Sequence, residues 1–263
     1  MKFVRGFLMA WGCFCWIPCP YKKWNEDDRT AMVAMLPLVG TGLGLVTALV
    51  WCVLGLLGAA PILSGAVVTA AYFVMTGFIH LDGFMDVADA VMPRHPRIEE
   101  RIRILKDPHT GSFAAVSMAL MLLLFAASAA ALSEVWEAGA LAFIAVATTS
   151  RCVSAMSVIR CRPMETSQYA SGAITQEKTL GKAMPALGIT IIVVAACVAV
   201  CLKQPAGLVT AGCVAAAAIV CALTSLIIGA IDRRALGGMN GDISGHMITS
   251  GEMAGLLAAA ILM

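Results

Sequence analysis

The chain has 263 residues, of which 60% are hydrophobic and 13% charged, roughly half the charged share of ordinary soluble domains. A composition this apolar excludes a soluble enzyme and sets the class as an integral membrane protein. The net charge of +2 is too small to suggest a nucleic-acid partner, and the ten cysteines lie mostly inside apolar runs with no CxxC pair, acting as small hydrophobes.

Residues 1–20 carry Lys2 and Arg5, then Phe7, Leu8, Trp11, Phe14, Trp16 and Ile17. The run is short for the roughly 20 apolar residues of a span, and its tryptophans suit the membrane interface. It reads as an interfacial or re-entrant helix ending at Ile17-Pro18-Cys19-Pro20, and no cleavable signal peptide is expected. The first span is 31–57, where Gly40, Gly42 and Gly44 permit close helix contact. Residues 62–81 cross back. Further spans are expected at 112–132, from the acidic turn at Glu134 and Glu137 to about Ile159, at 184–202, at 206–231 and at 247–263, the last marginal in length. Three polar loops, 90–111, 160–182 and 232–246, separate them. The expected fold is all-α: a polytopic membrane helix bundle of about seven spans, in a single domain over 1–263.

Basic residues fix the orientation. Lys2, Arg5, Lys22, Lys23, Arg29, the 94–106 cluster, Arg160, Arg162, Lys178, Lys182, Arg233 and Arg234 fall on one side, and only Lys203 on the other. By the positive-inside rule that side is cytoplasmic. The expected location is the plasma or inner membrane, multi-pass, with the three polar loops on the cytoplasmic face.

The second span ends in Asp82, Asp86 and Asp89, spaced i, i+4, i+7. On a helix turning about 100° per residue these lie within roughly 60° of one another. Three like charges on one stripe repel, and a divalent cation removes the conflict, because carboxylates alongside substrate phosphates are the ligands Mg²⁺ takes. A solvated helix face just outside the membrane is the plainer alternative. Gly83 removes bulk beside Asp82 and would let a ligand approach the backbone. His80 would point roughly 160° from Asp82 on a continuous helix.

Lys106-Asp107 closes the first polar loop, where a cation beside a carboxylate-bound metal suits a diphosphate. Arg94, Arg97 and Arg101 read as positive-inside anchors. Arg151 lies inside an apolar run and faces either an ion-pair partner or a ligand. Arg162-Pro163 opens the second loop. The third, with Gly237, Gly238, Asn240, Gly241 and Asp242, is either a plain turn or a wrap for a phosphate or sugar. Glu252 lies inside the last apolar segment, a costly acid with no obvious local partner.

Four blocks together resemble the cobalamin synthase family, the adenosylcobinamide-GDP ribazoletransferases. They are Phe14-Cys15-Trp16-Ile17-Pro18-Cys19-Pro20 with Leu36-Pro37-Leu38-Val39-Gly40; Thr76-Gly77 through His80-Leu81-Asp82-Gly83-Phe84-Met85-Asp86-Val87-Ala88-Asp89; Lys106-Asp107 with Gly111 and Phe113; and Gly237-Gly238-Met239-Asn240-Gly241-Asp242 with Gly245. Ser150-Arg151 and Arg162-Pro163 match as well. The chain departs from the pattern at Ala90, at Pro108-His109-Thr110 and at Asn240, where the family usually has Gly, Ser-Arg-hydrophobe and Thr.

The resemblance implies Mg²⁺-dependent transfer of phosphoadenosylcobinamide from adenosylcobinamide-GDP to α-ribazole or its 5′-phosphate, with release of GMP. On that basis Asp82 and Asp86 are expected to hold the metal, Asp89 to be a third metal ligand or the base for the ribazole hydroxyl, and Lys106 to be the fourth catalytic residue. Substrate contacts are expected from His80, Gly83, Asp107, Arg151, Arg162, Gly238, Asn240, Gly241 and Asp242. The partners expected are the two substrates and the lipid bilayer, with a homo-oligomer or a complex with other corrinoid-assembly enzymes beyond them. Two rivals remain. A CDP-alcohol phosphotransferase would need Ala-Arg where Asp86 and Val87 stand. A cation-coupled transporter would place its acids at mid-bilayer.

Overall fold

The computed structural model describes residues 1–21, 23–167, 180–204 and 206–263. The helices are α1 (Lys2–Phe14), α2 (Arg29–Ala34), α3 (Leu36–Leu56), α4 (Pro61–Met75), α5 (Ile79–Val91), α6 (Ile98–Leu105), α7 (Ser112–Leu132), α8 (Trp136–Arg160), α9 (Leu180–Cys201), α10 (Gly207–Leu236) and α11 (Gly241–Leu262). Among the described residues the one β-type pairing is a bridge between Pro163 and Met239. Residues 168–179, part of the expected second polar loop with Lys178, lie outside the described residues, as do Lys22 and Pro205.

Five stretches are long and apolar enough to cross a membrane: Leu36–Leu56, Ser112–Arg160, Gly181–Cys201, Gly207–Leu236 and Gly241–Leu262. The 49 residues of Ser112–Arg160 exceed by far the 20 or so that a bilayer takes. The chain folds back there at the turn Ser133–Val135, so that Gly139 packs on Leu132 and the Phe125 and Phe143 rings lie 5.9 Å apart. That stretch is two crossings. With that stretch counted as two and the bent pair α4–α5 as one, the described residues offer seven stretches apolar enough for a crossing, by length and composition. α1, at 13 residues, is too short to join them.

Small residues bring the helices together, as the glycine spacing predicts. A β-carbon on Gly40 would sit 2.2 Å from the Ala147 carbonyl oxygen, and one on Gly44 2.8 Å from Ile144 Cα. α3 therefore lies directly on α8. Gly42 instead receives the ring of Trp11 from α1. Tyr72, Phe73, Phe125 and Phe143 form an aromatic cluster among α4, α7 and α8, with centroids 4.9 to 5.9 Å apart. Edge-on and offset pairs of this kind add to the area they bury.

Two expectations need correction. Residues 62–81 are not one continuous span that ends in the acids. The chain turns by 92° between α4 and α5. The elbow is Thr76-Gly77-Phe78, with Gly77 and Phe78 both at φ 60°, so the acids ride on a separate short helix. The third polar loop is also shorter than expected. α10 runs on to Leu236, and α11 starts at Gly241, not near Met247. Asn240 caps it, its side chain accepting from the Ile243 amide at 2.9 Å. That bond satisfies one of the donors a helix start leaves unpaired.

Candidate active site

α5 is the centre of the site. At 13 residues and roughly 20 Å it is too short to span, and it packs against the amino-terminal ends of α7 and α11. A β-carbon on Gly83 would lie 2.8 Å from both Cα and the carbonyl oxygen of Asp242. One on Gly245 would come within 2.9 Å of the His80 carbonyl, to which Thr249 also donates at 3.3 Å. These two backbone contacts seat the start of α11 on α5 and bring Asp242 beside the α5 acids. The space beside Gly83 is thus filled by α11, not left for a ligand.

Asp82 is exposed, and Asp86 and Asp242 are half-buried. Burial pushes the Asp86 carboxyl up to about 6, and the negative charges of Asp82, Asp242 and Asp89 push it the same way. Asn240 donates to Asp242 at 2.7 Å. Among the described residues no Lys or Arg pairs with Asp82, Asp86 or Asp242. The acids therefore face one another uncompensated.

Asp89 does something else. Its two oxygens accept from the amides of Gly111 at 2.6 Å and Ala114 at 2.8 Å, so it caps α7. A β-carbon on Gly111 would collide with that carboxylate at 2.6 Å. The i, i+4, i+7 stripe does not close into one ligand set, because the N-terminus of α7 draws its last member away. Among the described residues no group of three His, Cys, Asp or Glu stands close enough to hold a metal. Mg²⁺ needs less than that, since it is usually bound through one or two carboxylates plus phosphate and water. Asp82 and Asp86, one helical turn apart and unneutralised, supply the one or two carboxylates such an ion would take.

The other expected residues divide between exposed and interior positions. Lys106, Asp107 and Arg162 are exposed. Lys106 follows α6 in the stretch that reaches Gly111 and Asp89. Asp107 accepts from the His109 amide at 3.0 Å and pairs with its ring at 2.7 Å, which holds its carboxyl below the usual range. The Arg162 carbonyl accepts from the Met239 amide at 2.8 Å, and the Met164 amide donates to the Met239 carbonyl at 3.0 Å. A β-carbon on Gly238 would meet Met164 N at 2.6 Å. Residues 162–164 thus fix the turn before Asn240, Gly241 and Asp242.

His80 and Arg151 do not face the acids. His80 is buried and stacked on Phe14 at 6.0 Å, on the opposite side of α5 from exposed Asp82, as its spacing predicts. Arg151 is 0% exposed. Its Nη1 pairs with Glu252 and donates to the Tyr72 hydroxyl at 3.1 Å, and Tyr72 and Ser150 donate to the same Glu252 oxygen at 2.7 and 2.8 Å. Of the two roles open to Arg151, the structure gives it the ion pair.

Sequence reasoning missed two features. A cleft of about 420 Å³ lies between Cys13, Cys15 and Trp16 and the elbow, with Asp82 on its wall. The Trp16 amide, bonded to the Met75 carbonyl at 2.7 Å, holds the two sides together. Also missed was the pairing of His246 Nδ1 with Asp232 at 2.8 Å, edge-on to Phe84 at 5.0 Å. The helical phase of 241–262 would have exposed it, had those polar residues not read as a loop.

Fold and site together define a polytopic helical membrane protein with an acidic centre where α5 meets α11. The chain belongs to the cobalamin-5-phosphate synthase family, whose model matches residues 6–260. It is 31% identical over 261 residues, 99% of both chains, to an adenosylcobinamide-GDP ribazoletransferase of Clostridium perfringens (strain 13 / Type A). It is 30% identical over 258 residues, 97% of both, to one of Brevibacillus brevis. A relative of the same name in Clostridium botulinum (strain Eklund 17B / Type B) is 38% identical over 117 residues, a stretch spanning about half of each chain, 44% of this one and 46% of the relative. No solved structure matches the chain.

Proposed function

We propose that this chain transfers phosphoadenosylcobinamide from adenosylcobinamide-GDP to α-ribazole or its 5′-phosphate and releases GMP. The observation that carries the reading is the meeting of Asp82, Asp86 and Asp242 at the elbow end of the bundle, with no cation paired to them among the described residues. A diphosphate brings the same sign of charge. Acids and phosphates share a site only where a divalent cation joins them.

In this reading Asp82 and Asp86 hold Mg²⁺, with Asp242 closing the site from α11. The ion, when bound, neutralises phosphate oxygens. A ribazole hydroxyl attacks the phosphorus that bears cobinamide. The bond from that phosphorus to the bridging oxygen breaks, and GMP departs with that oxygen. The hydroxyl proton passes to a carboxylate of the cluster or to solvent. Lys106 and Arg162, both exposed, neutralise the departing nucleotide. Such a transfer depends mainly on positioning and charge, which a rigid junction of α5, α7 and α11 supplies.

The site lies on the cytoplasmic face of the plasma or inner membrane, on the strength of its basic flanks. Membranes containing the protein, mixed with both substrates and Mg²⁺, release GMP, and a chelator stops it. Release of CMP from a CDP-alcohol, or uptake into proteoliposomes without nucleotide product, would instead assign the chain to one of its rivals.

A further inference from the structure

A second polar cavity lies away from the acids. It holds about 400 Å³ between α8 and α10, lined by Val153, Met156, Ser157, Arg160, Leu226 and Arg233. No acid lines it. Neither guanidinium has an ion-pair partner among the described residues, and Arg233 Nη1 is buried with no hydrogen bond. A β-carbon on Gly229 would come 2.5 Å from Met247 Sδ and 3.0 Å from Arg233 Nη1, so the guanidinium lies back along its own helix, beside Met247 of α11.

The lining also changes with depth. Arg160 and Arg233 sit in the last turns of their helices, whereas Leu226, 48% exposed, is two turns deeper on α10 and is an apolar wall. A charged head above an exposed leucine, between two membrane-spanning helices, suits an amphiphile. A soluble anion would use only the upper half.

We infer that this cavity binds the head group of an anionic phospholipid, the phosphate between Arg160 and Arg233 and the acyl chains over Leu226. Basic pockets between transmembrane helices at the positively charged side take such head groups. The site is separate from the carboxylate cluster, which lies between α5 and α11.

The test uses the full chain in nanodiscs of phosphatidylcholine with a minor fraction of phosphatidylglycerol. After extraction into detergent, the lipids retained per protein are counted by mass spectrometry. Wild type is expected to keep phosphatidylglycerol in preference to phosphatidylcholine. Arg160→Gln and Arg233→Gln should each lower that retention about five-fold, with melting in pure phosphatidylcholine unchanged. Should Arg233→Gln fail to insert, Arg160→Gln, an exposed position, carries the test alone. Retention of phosphatidylglycerol by Arg160→Gln at the wild-type level overturns the proposal. So does displacement of the lipid by inorganic phosphate alone, which would make the cavity a site for free phosphate.

Discussion

Gly83 and Asp242 are in backbone contact across the junction of α5 and α11: a β-carbon on Gly83 would stand 2.8 Å from Asp242 Cα. The contact sets how far Asp242 lies from Asp82 and Asp86. Gly83→Ala should therefore move an acid, not merely crowd a ligand. Overpacking of this kind costs about 1–3 kcal/mol, and a shift of about 1 Å at a reacting centre costs about a hundredfold in rate. The expected result is an inserted protein with a lowered melting temperature and GMP release reduced about a hundredfold. A near-normal rate would mean that Asp242 stands outside the chemistry.

Asp82 and Asp89 should separate on substitution. Asp82→Asn keeps the shape and removes the charge, and turnover should vanish with insertion and melting intact. Asp89 accepts two amides of α7. Asp89→Asn keeps one acceptor oxygen and should retain measurable turnover. Asp89→Ala leaves the helix uncapped, at about 1 kcal/mol, and should melt earlier. Equal loss of activity in Asp82→Asn and Asp89→Asn, with melting unchanged in both, would return Asp89 to the ligand set.

Arg151 and Glu252 are 0% and 3% exposed. Removing one partner leaves a buried charge, at a cost of about 3–5 kcal/mol, whereas removing both is often far milder. Arg151→Met should be expressed poorly, and Arg151→Met with Glu252→Leu should recover most of the loss. The Michaelis constant for the nucleotide donor should be the same in the double variant and wild type. A large rise in that constant at restored stability would show that Arg151 meets substrate.

Asp86 gives a pH dependence whose sign can be checked. Its folded value, about 6, lies above the ordinary 3.8. Between those limits the folded protein keeps a proton that the unfolded chain has lost. The stability this proton confers is present at the acid end and lost as pH rises through 6. In chelator, wild type should melt higher at pH 5 than at pH 7, by an amount on the order of 1 kcal/mol after solvent screening. Asp86→Asn should flatten the slope. Mg²⁺ at pH 7 should raise the wild-type melting temperature and leave that of Asp86→Asn unmoved. An equal rise in both would remove Asp86 from the metal site.

What the sequence told and withheld follows from the range of each interaction. The spans were legible because hydropathy is local. Asp82 and Asp86 were legible as a pair because i, i+4 positions share a face of any helix. Asp242 could be placed with them only coarsely, on the same membrane face by the positive-inside count and in one site by the family resemblance, since 156 residues of chain separate it from Asp86. Three failures share one cause. The cap from Asp89 to Gly111, the Arg151–Glu252 pair and the seating of α11 on Gly83 are all tertiary contacts that leave no periodic mark. The early start of α11 was hidden for a further reason. Asp242, Ser244 and His246 are polar, yet they pack against α5, α8 and α10 in turn.

The elbow carries the last prediction. Phe78 sits at φ 60°, a region a bulky side chain rarely enters, at about 1–2 kcal/mol. The Asp82 amide bonds back to the Phe78 carbonyl at 3.0 Å, so that backbone angle starts α5 and aims Asp82 along the cleft wall. If the angle is what matters, residues that tolerate it should serve as well as Phe. Phe78→Gly and Phe78→Asn should keep the rate within a few-fold and melt no lower than wild type. Phe78→Val, β-branched and more strained at that angle, should lose both stability and turnover despite its smaller size. The measurements are initial GMP release and melting of all three in one lipid. Equal activity in the Val and Asn variants would show that Asp82 is positioned by its contacts with α11 and the cleft, and not by the turn that precedes it.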